Sequence, residues 1–153
     1  MCIKLSKNFS LDEFTRSGTA RRLGLDNTPD ARTLLHLEAL ADVCLQPIRD
    51  HFGPVTILSG YRSAAVNTAV GSSERSAHLY GMGVDFTVAG HSTRELVEWI
   101  RDNLPSFDQA IDEFGDWVHL GRRQPISLEA RGQILEAYKV GTRTHYRFIP
   151  RPD

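Results

Sequence analysis

The segment spanning residues 76–86, "SAHLYGMGVDF", sets His78 and Asp85 seven residues apart around Gly81 and Gly83. A fully extended strand of that length would part the two side chains by roughly 23 Å. Any chemistry they share therefore requires the chain to double back between them. The two glycines permit such a turn, because they accept backbone conformations that other residues resist.

The rest of the chain supplies short strands and capped helices around that turn. "VTILS" (55–59) is rich in β-branched residues and bounded by "FGP" and Gly60, so it reads as a buried strand leading into a loop with Tyr61, Arg62 and Ser63. "VDFTV" (84–88) alternates apolar and polar residues, with Asp85 and Thr87 on one face. "DWVHL" (116–120) is a third strand, entered at Gly115, and Trp117 shares a face with His119. "QILEAYKV" and "RTHYRFI" flank Gly141 and Thr142 as a C-terminal hairpin.

Helix signals fall between these strands. In "NFSLDEF", Ser10 and Glu13 have capping-box spacing, with Phe9 and Phe14 placed as a hydrophobic staple. A longer helix is predicted from a Thr28 cap and Pro29, through Leu34, Leu37, Ala41, Cys44 and Ile48, with Pro47 kinking or ending it. Ser92 and Glu95 form a second capping box, ahead of an apolar face of Leu96, Val97, Ile100 and Leu104. No repeat or linker interrupts the 153 residues. The expectation is one α+β domain, 1–153, with a central mostly antiparallel sheet and helices packed to one side.

Composition narrows the partners. Eighteen basic against nineteen acidic residues leave a net charge of −1, which offers no general attraction to a polyphosphate backbone, so no nucleic acid is expected. Arg21 and Arg22 read as a solvated patch. An apolar share of 41% without any run long enough to span a bilayer predicts no membrane span and a soluble monomer. Cys2 and Cys44 lack metal-ligand spacing, and Cys44 falls in an apolar helical pattern, so no disulfide is expected. The N-terminal "MCIKLSKNFSLDEF" contains no apolar core of signal-peptide length, which predicts synthesis in the cytoplasm without an export address.

Three residues of zinc-ligand type stand at or beside strands: His78, Asp85 and His119. Catalytic zinc takes three such nitrogen or oxygen ligands and keeps a fourth position for water, whereas structural zinc is usually closed by cysteine-rich sets. Without a cysteine pair, an open site is favoured. Using that water on a carbonyl requires a base, and the nearest candidate is Asp116. It precedes His119 by three residues, which on an unbroken strand is the opposite face, so it joins the site only from within the turn at Gly115. Glu113 is a candidate for orienting substrate or a ligand histidine. Trp117 is assigned to the core, and His36, His51, His91 and His145 are read as structural or solvated.

The segments "SGYRS", "SAHLYGMGVDF" and "DWVHL", in this order and at these separations, resemble the zinc D-alanyl-D-alanine carboxypeptidase family. That family is grouped with lysostaphin-type peptidases and hedgehog domains, and it includes bacteriophage endolysins that cut peptidoglycan stem peptides. "NFSLDEF" and "YKVGTRTHY" look like the phage-type branch. The resemblance implies zinc held by His78, Asp85 and His119, with Asp116 as general base. It further implies Arg62 at the substrate carboxylate or oxyanion, and Ser76 hydrogen-bonding near the substrate.

The expected activity is thus hydrolysis of an amide bond in peptidoglycan stem peptides, after holin-type release to the cell wall. Two alternatives accompany it: a catalytically silent, metal-stabilised wall-binding or virion structural domain, and a cytoplasmic D-Ala-D-Ala dipeptidase. Asp116 is the feature set against the silent reading.

Overall fold

The structure is a computed structural model that describes residues 2–123 and 129–153. Six strands form one sheet: β1 (Val55–Ser59), β2 (Gly83–Val88), β3 (Gln109–Glu113), β4 (Trp117–Gly121), β5 (Gln133–Val140) and β6 (Arg143–Phe148). Their spatial order is β1-β2-β4-β3-β5-β6. Every pairing is antiparallel except β3 with β5. The expected α+β architecture with a mostly antiparallel sheet is therefore what the chain adopts.

Strand β3 lies at the centre of the sheet, yet its sequence "QAIDE" carries no strand signature. Its propensity is overridden by pairing on both edges and by partners for the Asp112 carboxylate. Asp112, only 5% exposed, accepts a hydrogen bond from the Gly115 backbone N–H at 3.0 Å and faces Arg94. Tertiary context of this kind is invisible to alternation patterns.

The helical segments are α1 (Leu11–Thr15), α2 (Gly18–Leu23), α3 (Ala31–Ala39), α4 (Gln46–Phe52), α5 (Ala64–Ala69) and α6 (Thr93–Asn103). At α1 the Glu13 carboxylate accepts from the Ser10 backbone N–H at 3.0 Å, and the Phe9 and Phe14 rings meet edge-on with centroids 6.0 Å apart. Capping box and staple both form as the sequence predicts. At α6 only half of the predicted box forms: Ser92 Oγ accepts from the Glu95 N–H, while the Glu95 carboxylate turns to His91.

The long predicted helix differs in its start and in its handling of proline. Asp30, not Thr28, caps α3, its carboxylate accepting from the Thr33 N–H at 2.7 Å. A π-helical segment, Leu40–Leu45, then joins α3 to α4, and the Gln46 N–H reaches back five residues to the Ala41 carbonyl. This widening lets Pro47 sit in the first turn of α4, where its missing N–H costs little. The run continues to Phe52.

Leu37, Leu40, Cys44 and Ile48 from this run, with Leu96, Val97 and Ile100 of α6, pack onto Val84, Phe86 and Val88 of β2 and onto Val118 and Leu120 of β4. The core thus occupies one face of the sheet. Residues paired across strands share a face, so the register Asp85↔His119, Ile111↔His119 and Glu113↔Trp117 puts Asp85, His119, Ile111, Glu113 and Trp117 together on the other face.

Candidate active site

The chain doubles back between His78 and Asp85 through a 3-10 turn, Ala77–Tyr80, closed by Gly81 at φ 69°. A Cβ on Gly81 would come within 2.9 Å of the Thr33 carbonyl oxygen. A Cβ on Gly83 would lie 2.8 Å from the Ala77 Cβ and 3.1 Å from His119 Cε1. One glycine makes the turn, and the other leaves room for the second histidine. From α3, His36 Nδ1 donates to the Tyr80 carbonyl at 2.8 Å and pins the turn to the helical layer.

His78 is 3% exposed, and its Nδ1–H donates to the Gly60 carbonyl at 2.7 Å. That bond aims Nε2 at Asp85 Oδ1, 3.2 Å away. The same oxygen lies 2.9 Å from His119 Nδ1. The three ligating atoms fall within 4.8 Å of one another. Burial works to raise the Asp85 carboxyl, but hydrogen bonds from His119 and His78 outweigh it and hold the group well below the usual carboxylate range.

The donor set fits a divalent cation. With Nδ1–H committed to Gly60, a neutral His78 turns a bare Nε2 lone pair toward a carboxylate oxygen, an arrangement that requires a proton or a cation between them. Two imidazoles and one carboxylate, with the second nitrogen of His78 fixed by a backbone carbonyl, have the composition of an open zinc site.

The cluster opens into a cavity of about 790 Å³. Arg62 lines it and is tied to the turn through its backbone N–H, which donates to the His78 carbonyl at 3.1 Å. Arg62 Nε is buried and has no hydrogen-bond partner among the described residues. Ser76 lines the cavity at the start of the 3-10 turn. Glu113 lines it from the end of β3, on the His119 face. Burial raises the Glu113 carboxyl above its ordinary value; His119 opposes the shift, while Asp85 and Asp112 add to it.

Asp116 is not brought to the cavity. It is exposed in the β3–β4 turn, where its backbone N–H donates to the Glu113 carbonyl at 3.0 Å. It precedes β4 and is not among the residues that line the cavity. The carboxylate that reaches the site by geometry is Glu113, the residue directly across the sheet from Trp117. Trp117, expected in the core, lines the cavity as well, its ring edge-on to Phe114 at 6.2 Å.

The Peptidase M15 family model matches residues 7–121. The chain belongs to this family. No curated protein matches it. The Peptidase M15 assignment makes the chain a zinc-dependent peptidase of the D-Ala-D-Ala carboxypeptidase kind, and the matched span contains His78, Asp85, His119, Arg62, Ser76 and Glu113.

Sequence reasoning missed several cavity residues that lie beyond this span. Tyr146 of β6 faces the cavity, its hydroxyl pushed up by burial and by Glu113. The alternation in "RTHYRFI" offered a signal for it, since it puts Thr144, Tyr146 and Phe148 on one face. Arg122, Arg123 and Arg131 also line the cavity. No helix among the described residues is long and apolar enough to cross a membrane.

Proposed function

We propose that this M15 peptidase hydrolyses an amide bond in peptidoglycan stem peptides, acting on the wall in the manner of an endolysin, with Glu113 rather than Asp116 as its general base. The observation that carries this reading is the placement of one half-buried carboxylate, Glu113, on the same sheet face and in the same cavity as the three clustered ligands. Zinc held by His78, Asp85 and His119 would polarise the scissile carbonyl and lower the pKa of a water toward about 7.

The chain's own groups do the remainder. Glu113, its carboxyl raised by burial, takes the proton of the attacking water and returns it to the leaving nitrogen, a role suited to a carboxylate shifted toward working pH. Arg62 offers an unpartnered donor to the substrate carboxylate or the developing oxyanion. Ser76 lies on the same wall and offers a hydroxyl to the bound peptide.

Digestion of purified peptidoglycan tests the reading, with new amino groups counted and fragments identified by mass. Zinc-loaded wild type should release fragments. Glu113→Gln should keep its zinc and lose about 10²- to 10⁴-fold in rate, and Asp116→Asn should stay within about twofold of wild type. Loss in Asp116→Asn with activity kept in Glu113→Gln would return the base to the turn aspartate. A zinc-loaded wild type that binds walls but releases nothing would leave the silent wall-binding reading in its place. Release only from free D-Ala-D-Ala would leave the dipeptidase.

A further inference from the structure

The cavity extends along the strands in two directions from the ligand cluster. Glu113 and Trp117 lie on one side of the Ile111↔His119 pair, and Gln109 and Gly121 lie on the other. Beyond Gly121 the chain continues into Arg122 and Arg123, and Arg131 faces them from the segment before β5. Five of the cavity's lining residues are arginines and three are carboxylates, although the chain as a whole carries a net charge of −1.

One lining carboxylate at this end, Asp108, stands against three lining arginines, Arg122, Arg123 and Arg131. Asp108 is 7% exposed; among the described residues its carboxylate is hydrogen-bonded by Arg131, Oδ1 accepting from Nε at 2.9 Å and Oδ2 from Nη2 at 2.7 Å, and Arg123 acts on it by charge only. Arg122 is fixed through its backbone N–H, which donates to the Met82 carbonyl at 2.7 Å. Its Nη1 is buried with no hydrogen-bond partner among the described residues. Among the described residues, Arg123 donates Nη1 only to the Glu129 carbonyl, at 3.2 Å. A buried guanidinium donor left unmatched is costly, and a ligand carboxylate matches it with charge-assisted bonds.

We infer that Arg122 and Arg123 form a second anion subsite, which holds a substrate carboxylate remote from the scissile amide. Extended peptide advances ~3.3 Å per residue, and Arg123 follows His119 by four residues. The carboxylate held there accordingly belongs to a different residue of the substrate from the group presented to Arg62. Peptidoglycan stem peptides carry such internal carboxylates, on D-glutamate and on meso-diaminopimelate. This assignment rests on the peptidase reading for its substrate class. Its residues lie beyond the span matched by the family model, residues 7–121.

The test is calorimetric binding of four synthetic stem pentapeptides to the zinc-loaded full chain carrying Glu113→Gln, which holds substrate without turning it over. One peptide is L-Ala-γ-D-Glu-meso-diaminopimelate-D-Ala-D-Ala with all three carboxylates free, and each of the others has one carboxylate amidated. Amidating one internal carboxylate should weaken binding roughly tenfold or more. That loss should shrink to under about twofold when Arg122→Gln or Arg123→Gln is added, whereas the loss from amidating the terminal carboxylate should be unchanged. Arg123→Gln decides the matter alone if Arg122→Gln disturbs folding.

The subsite is overturned if neither internal amidation matters, which includes the case of no measurable binding, or if the loss survives in the arginine variants. Cleavage by wild type is read separately. Discrimination without cleavage sinks the peptidase reading and keeps the subsite, and cleavage without discrimination does the reverse.

Discussion

Phe114 holds a φ of 61°, in the left-handed region that bulky side chains avoid. With Gly115 at 74° it forms the two central residues of the turn closing β3 and β4, the type that matches strand twist. The strain costs about 1–2 kcal/mol. Against it, the ring packs on the Ile111, Leu135 and Ala137 cluster and receives Lys139 Nζ at 5.2 Å from its centroid. Part-burial of a phenylalanine returns a similar sum, about 1–2 kcal/mol. Phe114→Gly should therefore change unfolding stability by under about 1 kcal/mol. Its effect on the proposed base should be larger in kind. Glu113 must be ionised to accept a proton, and burial raises its pKa, so kcat/KM should fall as pH drops through a value above the ordinary ~4.3. Opening the wall beside Glu113 to water should move that acid limb to lower pH. A pH profile of Phe114→Gly that coincides with wild type, or shifts upward, would disprove the shielding.

Elements carry the site through two contacts that can be broken independently. Between the 3-10 turn and β4 stands Gly83, where an added Cβ meets the Ala77 Cβ at 2.8 Å and His119 Cε1 at 3.1 Å. Gly83→Ala should weaken zinc affinity by about tenfold or more, measured by competition with a chromophoric chelator, and leave the far-ultraviolet circular dichroism unchanged; an unaltered affinity would show that the turn yields instead. At the opposite end, Asp108 joins β3 to the segment before β5 through Arg131. Burial pushes the Asp108 carboxyl up, yet the Arg131 hydrogen bonds and charge hold it below its ordinary value. A depressed carboxylate contributes stability above its unfolded pKa, near 3.9, and loses it as pH falls through the lower folded value. Asp108→Asn should thus cost about 1–2 kcal/mol at neutral pH, a figure discounted because the Arg131 side chain is 41% exposed. In denaturant titrations the gap from wild type should close below about pH 3; a gap independent of pH would assign it to packing instead.

At the scale of the whole molecule, the parts legible in the sequence were those whose cause is local. Ser10 with Glu13, Val55–Ser59, and the glycines around His78 each carry their reason within a few residues. So did the grouping of His78, Asp85 and His119, once three short segments were read together. What escaped was set by distant partners: β3, paired on both edges and with Asp112 facing Arg94 of α6; the π-helical detour that accommodates Pro47; and Glu113, whose place in the cavity follows from pairing with Trp117. Asp116 was preferred for its nearness to His119 in sequence, and the β3–β4 hairpin leaves it exposed in the turn while Glu113 lines the cavity. The same division predicts what metal does to the fold. His78, Asp85 and His119 are already positioned by Gly60, His36 and the packed sheet, so chelation should leave the chain folded at 25 °C, unlike small domains that have no core without their metal. Zinc binds only the folded state, and at a thousandfold over its Kd it adds about 4 kcal/mol. For a chain of this size that corresponds to a rise in Tm on the order of 10 °C. The increment should be reversed by a chelator and abolished in His119→Ala. An apo chain that melts below room temperature would show that the ion, and not the turn and the core, assembles the site.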